Sequence, residues 1–209
     1  MDHTEYHSPD PVPELPGMDP GVTLLALPEH PAPLHSLVLD HLLVTGGNAL
    51  WIDARNRGSS QLFATLAPSA RVLDRVHIAR GFTAFQHAAL VDHADEHLDA
   101  DTSIVVAPAI DGPYRDDDVR GVEARALLLR TLARLAGYAR EHDLPVLLTR
   151  TATDRLGVPV ETIAREVIEV ERTRFGPRFS GGDFETLVYP VDDDGAYYQT
   201  TFAYWRQLL

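Results

Sequence analysis

Five short, mostly apolar runs recur along the chain, separated by stretches with helical spacing. This alternation constrains the fold of the 209 residues more than any other feature. Short continuous apolar runs are typical of strands covered on both faces, and strands that alternate with helices form βαβ units around a mainly parallel sheet. The predicted strands are Val22–Leu27, Ala49–Asp53, Val76–Ala79, Ser103–Ala107 and Pro145–Thr149.

The segments between these runs have the apolar periodicity of helices. The longest carries a wide apolar face of leucine and alanine, and Thr83 is a predicted N-cap. We predict an α/β fold, with helices flanking the central sheet. The predicted helices are Leu34–Val44, Ser59–Leu66, Thr83–Leu98 and Gly121–His142.

The two ends of the chain differ from this middle part. "EVIEVERTR", "TLVYPV" and "YYQTTFAY" alternate apolar and polar residues, which predicts antiparallel strands at the C-terminal edge of the sheet. We predict turns at 176–182 and 192–195. Residues 1–20 contain five prolines and several acidic residues, so we predict a disordered acidic tail before a single domain at 21–209.

Composition narrows the possible environments and partners. The net charge is −13, all 18 basic residues are arginine, and cysteine is absent. Such a carboxylate excess is used by halophiles, and we predict a halophilic archaeal host. It also repels phosphates, so nucleic-acid binding is expected to be weak or absent. No apolar run could span a membrane and no signal peptide begins the chain, so we predict a cytoplasmic protein with no membrane contact.

The loop after the first strand invites comparison with a phosphate-binding P-loop, G-x-x-x-x-G-K-[ST]. If Ser36 takes the hydroxyl position, Glu29 and Leu34 replace the two glycines and His35 replaces the lysine. Two prolines in the loop lack N–H groups, so the anion nest is also weakened. On its own, the stretch is more simply interpreted as an ordinary connection between a strand and a helix.

Three further segments resemble RecA/RadA recombinases in order and spacing, so that the likeness covers residues 21–205. The resemblance implies a RecA-like P-loop fold. The segments are "ALWIDARN", "LDRVHIARGFTAFQHAALVDHADEHL" and "TSIVVAPAIDGPYRDDDVRGVEARALLLRTLARLAGYAREHDLPVLLTRT".

The same resemblance places unsuitable residues at the catalytic positions. Arg55 stands where the family has the glutamate that activates water, Ala107 ends the strand that should carry the Walker B aspartate, and Arg150 replaces a polar sensor residue. The expectation is a non-catalytic pseudo-ATPase with no cofactor. It would act as a binding or regulatory partner in archaeal DNA recombination and repair. Its partner would be a RadA-type recombinase, another repair protein or a second copy.

Two alternatives assign chemistry to the chain. In the first, the protein is an atypical nucleotide-binding ATPase in which His35 and Arg55 contact phosphate. In the second, the protein is a metal-dependent hydrolase that uses His93, Glu96 and His97 of "HADEH". This segment matches the H-x-x-E-H pattern, which can bind zinc on a helix. A third ligand would have to come from a distant glutamate such as Glu161 or Glu166, which nothing in the sequence marks. A solvated helix face is the simpler interpretation, and no metal is expected.

Two other patterns are less specific. "FQHA" matches the F-x-x-A docking pattern of recombinases, but Phe85 lies in a predicted amphipathic helix and core packing is the expectation. "ERTRFGPRF" places Arg172, Arg174 and Arg178 near phenylalanines, a combination that can contact single-stranded nucleic acid or phosphate. The alternative is a hairpin whose arginines pair with carboxylates.

Overall fold

The strands of the main sheet begin and end close to the predicted apolar runs. The structure is a computed structural model, and it describes residues 15–27, 31–54, 56–173, 176–182, 184–187, 189–190 and 198–199. The strands of this sheet are β1 (Gly21–Ala26), β2 (Asn48–Ala54), β3 (Val76–Gly81), β4 (Thr102–Ala107), β5 (Pro145–Leu148), β6 (Glu166–Thr173), β7 (Gly176–Gly181) and β8 (Phe184–Leu187).

The sheet has the order β3-β2-β4-β5-β1-β6-β7-β8. Neighbouring strands from β3 to β6 are parallel, whereas the β6–β7 and β7–β8 pairs are antiparallel. The prediction of an α/β fold with a mainly parallel sheet and antiparallel C-terminal edge strands is therefore confirmed.

Two predictions for the C-terminal region are wrong in part. β6 was expected to be antiparallel, but it pairs in parallel with β1 and is antiparallel only to β7. The segment 176–182, expected to be a turn, forms β7 because Phe179 is fully buried and holds the segment against the core. A short antiparallel pair follows, β9 (Tyr189–Pro190) with β10 (Tyr198–Gln199), while the predicted turn at 192–195 lies outside the described residues.

Six α-helices lie between the strands of the described chain. Thr83 caps the fourth as predicted, since its side chain accepts a hydrogen bond from the Gln86 amide. The predicted helix Thr83–Leu98 is not continuous, because α4 ends at Asp92 and a 3-10 helix covers Ala94–His97. The helices are α1 (Ala32–Thr45), α2 (Ser60–Leu66), α3 (Ala70–Leu73), α4 (Ala84–Asp92), α5 (Gly121–Glu141) and α6 (Val158–Ile163).

Helices cover both faces of the parallel strands. Side chains alternate along each strand, so Trp51 belongs to the core cluster on the face covered by α1, α2 and α3, whereas its neighbour Ile52 belongs to the cluster on the face covered by α4, α5 and α6. Leu15, within the predicted tail, is buried on the Trp51 side, so the packed chain begins before Gly21; residues 1–14 lie outside the described part. A search of the described helices finds none with the length and apolar character needed to cross a membrane.

Candidate functional site at the carboxyl edge of the sheet

The carboxyl ends of the parallel strands meet along one edge of the sheet, where open α/β folds bind their ligands. The described positions taken from the P-loop comparison and the family resemblance fall at this edge. His35 lies in the first turn of α1 after β1, Ala107 is the last residue of β4, and Arg150 follows β5. Glu29 and Arg55 lie outside the described residues. The described members of the predicted set are therefore distributed over three adjacent strand ends, those of β1, β4 and β5.

The start of α1 does not present a cation to this edge. Its N-cap, Pro31, makes no side-chain capping hydrogen bond. The His35 Nδ1 atom lies 2.9 Å from the Pro31 carbonyl oxygen, to which it donates. The fully buried His35 ring packs 4.4 Å from the ring of Phe63 and 5.0 Å from that of Trp51, centroid to centroid. The side chain at the P-loop lysine position thus belongs to the core.

The two other described P-loop positions lie in the same helical turn. Leu34 is buried in the core on the α1 face of the sheet, and Ser36 is half-buried. A leucine at the second glycine position carries a side chain where a phosphate cradle needs bare backbone. Leu34 thus contributes to packing.

Hydrogen bonds join the ends of β4 and β5. The residue compared with the Walker B aspartate, Ala107, is apolar and makes none of them with its side chain. Ala107 is fully buried. The Thr149 hydroxyl accepts a hydrogen bond from the Ala109 amide at 2.7 Å, and the Thr149 carbonyl accepts one from the Ile110 amide at 3.0 Å. Ala109 has a φ of 49°, a left-handed conformation that turns the chain back toward β5. Both the hydroxyl and the carbonyl of Thr149 thus accept hydrogen bonds from backbone amides just after β4.

A charged clamp holds the loops after β4 and β5 together. Asp111 is fully buried and accepts hydrogen bonds from the Thr151 amide at 2.7 Å and the Thr151 hydroxyl at 2.8 Å. The Arg115 guanidinium donates to Asp111 at 2.6 Å and to Asp154 at 2.7 Å. Hydrogen bonds from Arg115 hold the pKa of Asp154 well below its usual range. The clamp groups satisfy one another, which favours a structural role.

A second buried carboxylate lies at the end of β2. Asp53 accepts hydrogen bonds from the Arg57 amide at 2.7 Å and the Gly58 amide at 3.0 Å, and from Arg80 Nε at 2.7 Å. Asp53 is fully buried. This arrangement fixes the turn that follows β2 and ties it to β3.

A buried polar chain that the sequence did not reveal lies on the α4 face. The His87 Nδ1 atom is 2.9 Å from the Tyr114 hydroxyl, which lies 2.7 Å from the Thr131 hydroxyl. Burial lowers the pKa of His87 to about 4 and raises the pKa of Tyr114 to about 12. The Nε2 atom of His87 is buried and finds no hydrogen-bond partner among the described residues. The imidazole is therefore held neutral.

Two of the arginines singled out in the sequence, Arg150 and Arg178, pair with carboxylates. Arg150 donates from Nη1 to Glu161 at 2.5 Å, and Arg178 pairs with Glu171 and with Glu185. For Arg178, the alternative of a hairpin paired with carboxylates is thus the observed arrangement. Arg172 is exposed on β6 opposite Pro177, and Arg174 lies outside the described residues.

The proposed zinc ligands are not arranged on one helix. His93 follows the end of α4, His97 ends the 3-10 helix, and the His93 Nδ1 atom lies 3.0 Å from a Glu96 carboxylate oxygen. Glu161 pairs with Arg150, and Glu166 begins β6 opposite Thr23. In the described part of the chain, no group of three or more histidine, aspartate or glutamate residues could hold a metal ion. The expectation that two histidines share an α-helical face is wrong because α4 ends too early.

Phe85 also differs from its expected place. Its side chain is 50% exposed, whereas Ala88, three residues later, is buried. The expectation of core packing for Phe85 is wrong, because α4 turns Ala84, His87 and Ala88 toward the sheet instead.

No protein-family model matches the chain, and no curated protein matches it significantly.

Proposed function

We propose that the protein is a RecA/RadA-like pseudo-ATPase that works as a non-catalytic binding or regulatory partner in DNA recombination and repair. The proposal rests on which groups occupy the carboxyl edge of the sheet. Apart from the half-buried Ser36, its described positions hold buried apolar groups or polar groups already paired within the chain, in place of groups that could bind phosphate and magnesium. The RecA-like character of the fold is part of the proposal.

Phosphate binding would need free backbone N–H groups and a cation at the start of α1. His35 is buried between Trp51 and Phe63, and Pro31 and Pro33 have no N–H to donate. Moving the His35 ring to the surface would expose the apolar faces of both aromatic rings. This cost opposes the alternative in which His35 contacts phosphate.

Magnesium chemistry would need a carboxylate at the end of β4 and a polar residue after β5. Ala107 offers no ligand, and Arg150 pairs with Glu161. The nearest carboxylate in sequence, Asp111, already accepts hydrogen bonds from Thr151 and Arg115. Using it for a metal ion would break the clamp between the two loops.

Isothermal calorimetry with magnesium-ATP, at high salt, tests the proposal directly. We expect no heat of binding. We also expect no rise in the melting temperature, since a ligand at about 100 times its Kd would stabilise the folded state by about 2.7 kcal/mol. Micromolar affinity for ATP would overturn the pseudo-ATPase proposal and favour the atypical nucleotide-binding alternative.

The partner role needs a separate measurement. Light scattering on the protein mixed with the RadA-type recombinase of its own host should show a complex larger than either component. If neither a complex with the recombinase nor self-association forms, the assignment to recombination machinery fails, even if ATP binding is absent.

A further inference from the structure

The outer face of α5 is apolar along most of its length. Val122, Ala126, Leu129, Ala133 and Ala136 follow one another at intervals of four and three residues, so they form a single stripe along the helix. Val122 is 87% exposed and Leu129 is 38% exposed. Ala126 and Ala133 are exposed as well, and Ala136 is half-buried. A surface helix normally carries polar residues on its outer side, so this stripe differs from an ordinary solvated face.

Packing within the described chain does not cover the stripe. α5 buries a different face against the sheet, through residues that include Leu128 and Leu132. Arg130, on the flank of α5, pairs with Asp92 of α4 at 2.6 Å, so α4 lies beside the helix. The stripe is therefore a second apolar face of α5, open to another molecule.

The charges of α5 favour contact with a second copy of the chain. The protein has a net charge of −13, so most of its surface repels another copy. Arg130 and Arg134 pair with aspartates within the chain. The other charged residues of α5 balance, because they are two glutamates and two arginines: Glu123, Arg125, Arg140 and Glu141. Two copies can therefore bring these helices together with little repulsion.

We propose that two copies of the chain associate through this stripe, with their α5 helices antiparallel around a two-fold axis. Glu123 lies near the start of α5 and Arg140 near its end. An antiparallel pair brings Glu123 of each copy beside Arg140 of the other. In a parallel pair, each residue would meet its own counterpart, and like charges would face each other. The positions of these charges thus favour the antiparallel direction.

The apolar side chains are complementary in the same arrangement. If Leu129 of one copy packs against Ala133 of the other, the register of the pair is fixed. Ala126 then packs against Ala136, at the same spacing on either side of the axis. Because the leucine faces an alanine, the two helices can interdigitate without a clash.

An anionic lipid surface is another occupant that an apolar helix face can have. Helices that lie on such membranes are rich in lysine and arginine on their polar side. α5 instead has balanced charges once its ion pairs within the chain are formed, and the whole chain is strongly acidic. A second copy therefore fits this face better than a membrane.

Sedimentation velocity of the full chain over a range of concentrations tests the proposal. One helix pair buries less surface than the roughly 1,200–2,000 Å² of a standard interface, so we expect a weak dimer whose fraction rises with concentration. The fraction should also rise with salt, because salt screens the repulsion between two acidic copies.

A glutamate within the stripe should oppose this dimer. In Ala133→Glu, a carboxylate faces Leu129 of the other copy, and the dissociation constant should rise about tenfold or more. Ala64→Glu is the matched control, since Ala64 is an exposed alanine of α2 on the other side of the sheet. It should dimerise as the unmodified protein does. Circular dichroism of each variant shows whether it is folded.

Cysteine variants test the direction of the helices. The chain has no cysteine, so a disulfide can form only where one is introduced. Under mild oxidation, a mixture of Ala126→Cys and Ala136→Cys should give a disulfide-linked heterodimer, because these positions meet in the antiparallel pair. Either variant alone should stay unlinked.

Four results would overturn the proposal. They are a monomer at every concentration, equal dimerisation by Ala133→Glu, linkage of Ala126→Cys to itself, or binding to phosphatidylglycerol vesicles that Ala133→Glu abolishes. The inference does not rest on the pseudo-ATPase assignment, because α5 carries none of the positions compared with the catalytic residues of RecA/RadA proteins. A monomer that binds no ATP would thus contradict the dimer and leave the missing nucleotide site unaffected.

Discussion

The imidazole Nδ1 of His87 lies 2.9 Å from the hydroxyl oxygen of Tyr114, and both side chains are buried. The same hydroxyl lies 2.7 Å from Thr131 in α5, so a polar chain connects α4 to α5 through the 3-10 helix Pro113–Arg115. Burial dominates the titration of this histidine and lowers its pKa to about 4, although the nearby charge of Asp53 acts in the opposite direction. The folded protein therefore resists protonation at this position.

His87 should make the protein less stable in mild acid. Its pKa is about 4 in the folded state and 6.5 as the reference value, so the unfolded chain takes up the proton first as pH falls. Its contribution is complete above pH 6.5 and is lost as pH falls toward 4, by about 3 kcal/mol. Urea unfolding at several pH values measures this loss.

A variant without His87 separates the effect of this histidine on stability from that of the carboxylates, which are protonated over part of the same pH range. In His87→Gln, the free energy of unfolding should fall less steeply between pH 6.5 and pH 4 than in the unmodified protein. His93→Gln changes a 71% exposed side chain and should keep the original slope. Parallel curves for His87→Gln and the unmodified protein would contradict the assigned titration.

The two carboxylates that pair with Arg115, Asp111 and Asp154, should contribute differently to the free energy of unfolding. Asp111 is fully buried and accepts hydrogen bonds from Thr151 as well as from Arg115, so Asp111→Ala removes all the bonds that join these two residues. We expect a loss of roughly 3 kcal/mol. The Asp154 side chain is 52% exposed, and water can replace it, so Asp154→Ala should cost clearly less. Equal losses in urea unfolding would show that burial does not set the strength of the clamp.

The sequence could predict the parallel strands because burial on both faces requires continuous apolar runs. β2 and β4 lie within one residue of their predicted limits at both ends. It could also place Ala107 at the end of β4 and Arg150 just after β5, since position along a strand depends on the local pattern.

What the sequence could not predict depends on pairing between distant segments. Asp111 and Thr151 are 40 residues apart, and no local pattern marks them as partners. The His87 chain joins three separate elements in the same way. Phe85 was placed in the core because two neighbouring faces of a short helix have similar apolar content, and only the packing of α4 decides between them. β7 was interpreted as a turn because its glycine and proline outweighed the single buried Phe179.

Phe63 and Phe85 provide a matched test of that packing. Phe63 contacts the rings of His35 and Trp51 in the core, so Phe63→Ala should cost about 3–5 kcal/mol. Phe85 is half-exposed, and Phe85→Ser should change the free energy of unfolding by only about 0.5 kcal/mol. A loss for Phe85→Ser as large as that for Phe63→Ala would show that α4 presents another face to the sheet.

A lysine at position 35, where a P-loop has one, should destabilise the protein rather than create a nucleotide site. In His35→Lys, an ammonium group would have to lie between Trp51 and Phe63 or pull the first turn of α1 away from the core. Burial of a charge is unfavourable, and we expect a loss of roughly 3 kcal/mol in urea unfolding. His93→Lys, at an exposed position, should leave stability within about 0.5 kcal/mol. If His35→Lys were fully stable and bound magnesium-ATP in calorimetry, the position would be a working phosphate site altered by one residue. The pseudo-ATPase proposal would then lose its support at the start of α1.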